Sequence, residues 1–166
     1  MKSKFKGWAW FLAGYAFLFT CILIACILWD IFLNNILPVY FNIIVTFFVA
    51  FTWVWIVLGE LRNKVILVDI GYDNFVVKRY LGLGTAKTYY FGDMQGYKIS
   101  FLYSASASYE YMYLIKDDKK IIKLSQFYHK NYDELKQAII DAHVKDLGIE
   151  DYSTMREVKE IFVFGL

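Results

Sequence analysis

Two stretches without a single Asp, Glu, Lys or Arg occupy the first third of the chain: Gly7–Trp29 and residues 39–58. A helix rising roughly 1.5 Å per residue needs about 20 residues to cross the hydrocarbon of a bilayer. A helix of that length in water needs a polar face, and neither stretch has one. Central Leu, Ile, Phe and Val each favour insertion by about 0.3 to 0.6 kcal/mol. Phe11, Leu12, Phe17, Leu18, Phe19, Ile22, Leu23, Ile24, Ile27 and Leu28 together supply on the order of 3 to 6 kcal/mol. Residues 7–59 are therefore predicted to form a two-helix transmembrane hairpin.

The ends of the spans carry the amphipathic rings that favour the headgroup region. Trp8 and Trp10 open the first span and Trp29 closes it; Tyr40 opens the second, and Trp53 and Trp55 approach its end. In the connecting loop, Asn34 and Asn35 suit a turn, and Pro38 suits the first position of the second helix. Lys2, Lys4 and Lys6 precede the first span, Arg62 and Lys64 follow the second, and the loop holds only Asp30. The positive-inside rule then puts both termini and everything after the hairpin in the cytoplasm, as a multi-pass protein of a cell inner membrane. The first span exceeds a signal-peptide core and lacks an Ala-x-Ala-like cleavage site. Leu23-Ile24-Ala25-Cys26 resembles a lipoprotein cleavage box with Cys26 as the lipidated residue, but Ile27-Leu28-Trp29 continues the apolar run where such sequences turn polar.

Small residues recur at helical spacing: Ala9, Ala13, Ala16 and Thr20 in the first span, and Asn42, Thr46 and Ala50 in the second. Small side chains let membrane helices approach closely, and an Asn seeks a partner rather than lipid. These seven residues are the expected packing stripe, with Thr20 and Thr46 at similar depth. One Asn and a few hydroxyls do not line a pore.

Residues 60–147 form the predicted soluble domain. Strands are expected over residues 64–70, 75–81, 87–91, 97–103, 109–116 and 121–124, separated by turn signals. The turns include Gly71-Tyr72-Asp73-Asn74, Gly82-Leu83-Gly84, a loop over 104–108 and Asp117-Asp118-Lys119-Lys120. A helix should begin at Asn131, with Glu134 reaching back in a capping box. Its apolar face is Leu135, Ala138, Ile139 and Ala142, fading near Asp146-Leu147-Gly148. Residues 148–166 are a further helical tail, with Met155, Val158, Ile161 and Phe162 at helical spacing before Phe162-Val163-Phe164. The expected fold class is a membrane α-hairpin followed by a small antiparallel β-barrel or sandwich, capped by a C-terminal helix.

The strand pair within 65–81, the segment Thr88-Tyr89-Tyr90-Phe91-Gly92-Asp93-Met94-Gln95-Gly96-Tyr97 and the helix start Asn131-Tyr132-Asp133-Glu134-Leu135 resemble the bacterial pleckstrin-homology-like (bPH) domain family, in the versions tethered behind a membrane hairpin. The resemblance covers most of residues 60–145 and departs after Gly148. It implies a seven-stranded, partly open barrel capped by a helix, and it does not imply phosphoinositide binding.

Catalytic constellations are missing from the sequence. His129 and His143 are the only histidines, no ligand stands at zinc spacing, and each reads as a surface or helix-end residue. Gly82-Leu83-Gly84 lacks both the later glycine of a dinucleotide loop and the lysine of a P-loop. No enzyme activity, metal or cofactor is expected. With 18 basic against 16 acidic residues, the chain has no electrostatic footprint for nucleic acid. Lys78, Arg79, Lys87 and Lys98 lie on or beside the early strands and are the candidate lipid or anion contacts. Two functions follow: a membrane-anchored module for protein interaction or scaffolding, with a protein partner or a homo-oligomer, or a module that senses lipid headgroups or small ligands at the basic strand face or the barrel mouth.

The topology is checked by reporter fusions. A reporter placed in the loop after the first span should read as outside, and one after residue 150 as inside. An outside signal from the latter position would refute the assignment.

Overall fold

The computed structural model describes residues 1–32, 39–103, 107–153 and 155. The Asn34, Asn35 and Pro38 turn, most of the 104–108 loop and the apolar stripe after Met155 lie outside the described residues. Helix α1 spans Gly7–Phe32, and α2 spans Val39–Val54, continuing as a wider π-helical segment, Trp55–Leu61. Both helices are long and apolar enough to cross a membrane, and almost nothing in either is buried inside the protein. A soluble core helix would be covered, so these helices must find their apolar surroundings elsewhere.

Two open sheets follow. The first has the order β1-β2-β3, from β1 (Leu67–Ile70), β2 (Asn74–Lys78) and β3 (Lys87–Tyr90), all antiparallel. The second has the order β6-β5-β4-β7, from β4 (Gly96–Tyr103), β5 (Ser108–Lys116), β6 (Lys119–Ser125) and β7 (Asp146–Ile149). Helix α3, Tyr132–Asp141, lies between β6 and β7 in sequence. Val68, Phe75, Val77, Met112, Leu114, Ile122 and Leu124 from the two sheets bury one core with Leu135 and Ile139 of α3. Alternation along the strands produces this core, because every second side chain faces inward.

Of the expected barrel or sandwich, the barrel does not close. Strand β3 has only four residues and ends in the turn Phe91–Asp93, so β3 and β4 belong to different sheets. The segment 146–149, expected as the fading end of the helix, is instead a strand parallel to β4. Gly96 permits that close approach, since a Cβ there would stand 2.4 Å from the Lys145 carbonyl oxygen. Asn131 occupies the position before α3 without capping it. Its Oδ1 accepts from the Lys4 amide at 2.7 Å, and its Nδ2 donates to the Lys2 carbonyl at 3.1 Å.

That diversion reveals how the domain is held to the hairpin. Residues 1–6 run antiparallel to β1 on one side and to residues 128–131 on the other. The Ser3 amide donates to Val68 O at 2.8 Å, and the Ile70 amide to Met1 O at 2.6 Å. Across the strand, the Lys130 amide donates to Lys4 O at 2.7 Å, and the Lys6 amide to Tyr128 O at 2.9 Å. Helix α1 starts at the next residue. Ala9, Ala16, Leu61, Val65 and Tyr128 then form a second buried cluster where the hairpin meets the domain.

His129 sits in this junction, 0% exposed, and not at the surface. Its Nε2 stands 2.8 Å from Ile66 O, and its Nδ1 stands 3.0 Å from Ser125 O and 3.3 Å from the Ser125 amide. Burial holds its pKa below the ordinary histidine value, against the pull of the two carbonyls and with a smaller push from Lys6. The unfolded chain therefore takes up a proton at His129 before the folded chain does. Stability contributed by this ring is complete above the unfolded pKa of about 6.5 and is lost as the pH falls below it. The thermal midpoint should drop between pH 7.5 and pH 5.5, and His129→Gln, less stable throughout, should show a flatter dependence over the same interval.

Candidate cationic cleft at the foot of the hairpin

The Arg62 amide donates back to Val57 O at 3.0 Å, closing the last π-helical turn. This places Arg62 one residue beyond the second span. From there the chain enters β1, and the loop after β2 returns to the same level, where the Leu81 amide donates to Val65 O at 2.9 Å. In that loop Tyr80 and Leu81 have φ of 53° and 58°, followed by Gly82 at 96°. Two successive non-glycine residues in the left-handed region cost roughly 1 to 2 kcal/mol each, a conformation kept only where surrounding contacts dictate it. Tyr80 and Leu81 pack against the hairpin–domain cluster. Leu83 projects outward, 89% exposed.

Between this loop, the end of α2, strands β2 and β3, and β6 lies a cleft of about 310 Å³. Arg62, Arg79 and Lys87 line it with Tyr80, Thr85 and Tyr89, over an apolar floor that includes Val77 and Ile121. Burial, and then the charge of Arg62, hold the Arg79 guanidinium below its ordinary pKa, while Tyr89 and Tyr80 act in the opposite direction. The side chains of Arg79 and Lys87 form no ion pair among the described residues. Arg79 and Lys87, in a lining that contains no carboxylate, favour an anion in the cleft.

Of the four cations singled out in the sequence, the fold brings Arg79 and Lys87 together and adds Arg62. Lys78 alternates away from the Val77 and Arg79 side of β2 and is absent from the lining. Lys98 belongs to β4 in the other sheet, where it approaches Glu150 at 4.0 Å, and Glu150 also pairs with Lys120 at 3.4 Å. Arg62 was legible in the sequence only as a topology charge, and the aromatic residues of the lining carried no signal.

Within the hairpin, Ala9, Ala13 and Ala16 pack in the junction cluster. Thr20 accepts from the Trp53 indole at 2.8 Å while its own hydroxyl donates to Ala16 O at 2.7 Å. Its partner level is thus Trp53, and not Thr46, because α1 runs on to Phe32 and shifts each residue of α2 opposite a later residue of α1. Asn42 and Thr46 line a mainly apolar cleft of about 380 Å³ with Ala25 and Cys26, and Ala50 is half-buried. Leu12 is half-buried against the junction cluster. Among the described residues, no group of three or more His, Cys, Asp or Glu is placed to hold a metal ion. Compared with known proteins, the chain matches no family model, no curated protein and no solved structure.

Ala16→Leu should destabilise the hairpin by about 1 to 3 kcal/mol, the usual cost of overpacking, since Ala16 is 7% exposed. Phe17→Leu, at a residue 73% exposed, should change it little. Reversible unfolding in mixed micelles separates the two, and equal effects would show that the small-residue face is not a packing face.

Proposed function

We propose that the protein is a non-enzymatic, membrane-anchored module that engages anionic lipid headgroups through the cleft at the foot of its second span. The observation that carries this reading is the meeting of Arg79 and Lys87 with Arg62 in one cleft, a residue beyond a helix long enough to cross a bilayer. An anionic leaflet attracts each nearby Lys or Arg by about 1 kcal/mol, and a cleft that excludes part of the water strengthens each contact. Leu83 supports the same reading, because an apolar side chain 89% exposed in the loop between Arg79 and Lys87 suits a bilayer interface.

The two-sheet core with a packed helix is compatible with kinship to the pleckstrin-homology-like domains, and we infer the same cytoplasmic placement that the lysine distribution favours. The protein-interaction reading retains one specific support. Strand β3 is the last in its sheet order, and its outer edge can accept an extended strand from a partner or from a second copy.

The test compares the full chain with Arg79→Gln/Lys87→Gln in nanodiscs of zwitterionic lipid doped with an anionic lipid, reading lipid retention by native mass spectrometry. Loss of two contacts of about 1 kcal/mol each should weaken retention by about 30-fold. Unchanged retention would refute the headgroup reading. The β3 edge is tested separately: Thr88→Pro should abolish any homo-oligomer that depends on it while leaving lipid retention intact.

A further inference from the structure

We propose that the anion recognised in this cleft is a lipid-borne phosphate monoester, as in a phosphatidate-type headgroup, in preference to the singly charged phosphodiester of common anionic lipids. This rests on the headgroup reading and narrows it. The cleft offers Arg79 and Lys87, two cations with no carboxylate partner among the described residues. A phosphate monoester carries a charge of about −1.5 to −2 at neutral pH, with three acceptor oxygens, whereas a diester carries one charge and two free oxygens. One monoester therefore balances Arg79 and Lys87 at a single phosphorus.

The donor set matches the same group. Arg79 presents a planar fork suited to two oxygens of one phosphate, and Lys87 adds a point charge. The hydroxyls of Tyr80, Thr85 and Tyr89 are the neutral donors in the lining. The lipid source follows from Leu83 and from Val77 and Ile121. A ligand with an acyl-bearing glycerol can use the apolar lining and the exposed Leu83, next to Gly84 of the lining in sequence, and a free phosphate uses neither.

The full chain is reconstituted in phosphatidylcholine nanodiscs containing either phosphatidic acid or phosphatidylglycerol at equal mole fraction, and bound lipid is counted by native mass spectrometry. Glycerol 3-phosphate and inorganic phosphate serve as soluble competitors. Retention of phosphatidic acid should exceed that of phosphatidylglycerol by about tenfold, the size of one further charge-assisted contact, and Arg79→Lys should erase the preference while keeping the charge. Equal retention of the two lipids, both lost in Arg79→Gln/Lys87→Gln, would overturn the monoester assignment and leave the headgroup reading standing. Retention indifferent to that double variant would overturn both. Complete displacement by millimolar glycerol 3-phosphate would overturn the lipid source and assign the cleft to a soluble phosphate monoester. His129→Gln, outside the cleft, serves as a variant of lowered stability whose lipid preference should persist.

Discussion

The backbone pairing of residues 1–6 with β1 and with residues 128–131 is the interaction on which the rest of the arrangement depends. A two-helix hairpin followed by a domain is ordinarily a tethered pair, free to reorient about whatever chain joins them. Here the strand before α1 is built into the domain on both its edges, and α2 leads into β1 through only a few residues. Both helices are thus fixed at the same end of the sheet. The opening strand and the domain also lie on one side of the bilayer whichever side that is, because they share a ladder of hydrogen bonds.

Fixing the domain gives the cleft its position. Arg62 follows the hairpin, Arg79 follows β2, Lys87 begins β3, and only a seated domain brings all three to one place beside the span. The left-handed turn at Tyr80 and Leu81 is held by packing against the same junction and leaves Leu83 exposed. Glu60 shows the complementary device on the other side of the helix end. It accepts from Lys64 at 2.5 Å and from the Tyr128 hydroxyl at 2.7 Å, which ties the helix end to the domain. Farther out, Tyr132 and Lys136 of α3 both donate to Glu110 on β5, and burial followed by Glu110 raises the tyrosine pKa, which keeps the helix pinned as a neutral donor.

The parts legible in the sequence were those written in one-dimensional patterns. The spans follow from uninterrupted apolar composition, and β4, β5 and β6 from alternation and turn residues. Strand β7 was hidden because Asp146-Leu147-Gly148-Ile149 reads as a helix end and pairs through its backbone with a distant strand. The opening strand was hidden for a related reason. Lys2, Lys4 and Lys6 announce their charge, while the amides and carbonyls that do the pairing carry no residue signature. Barrel closure failed at β3, whose shortness is set by the Phe91–Asp93 turn, a boundary that propensity locates poorly. Arg79 and Lys87 were visible as cations, but their company with Arg62 exists only once the hairpin and sheet are joined. His129 gave no sign of burial, since its partners are backbone carbonyls and amides.

Hydrogen–deuterium exchange on the full chain in nanodiscs tests the fusion of hairpin and domain most directly. The amides of Ser3 and Lys6, which donate to Val68 and Tyr128, should exchange as slowly as those in the middle of β5. Exchange of residues 2–6 at the rate of an unstructured segment, with β4 to β6 still protected, would contradict the account and reduce the domain to a tethered body.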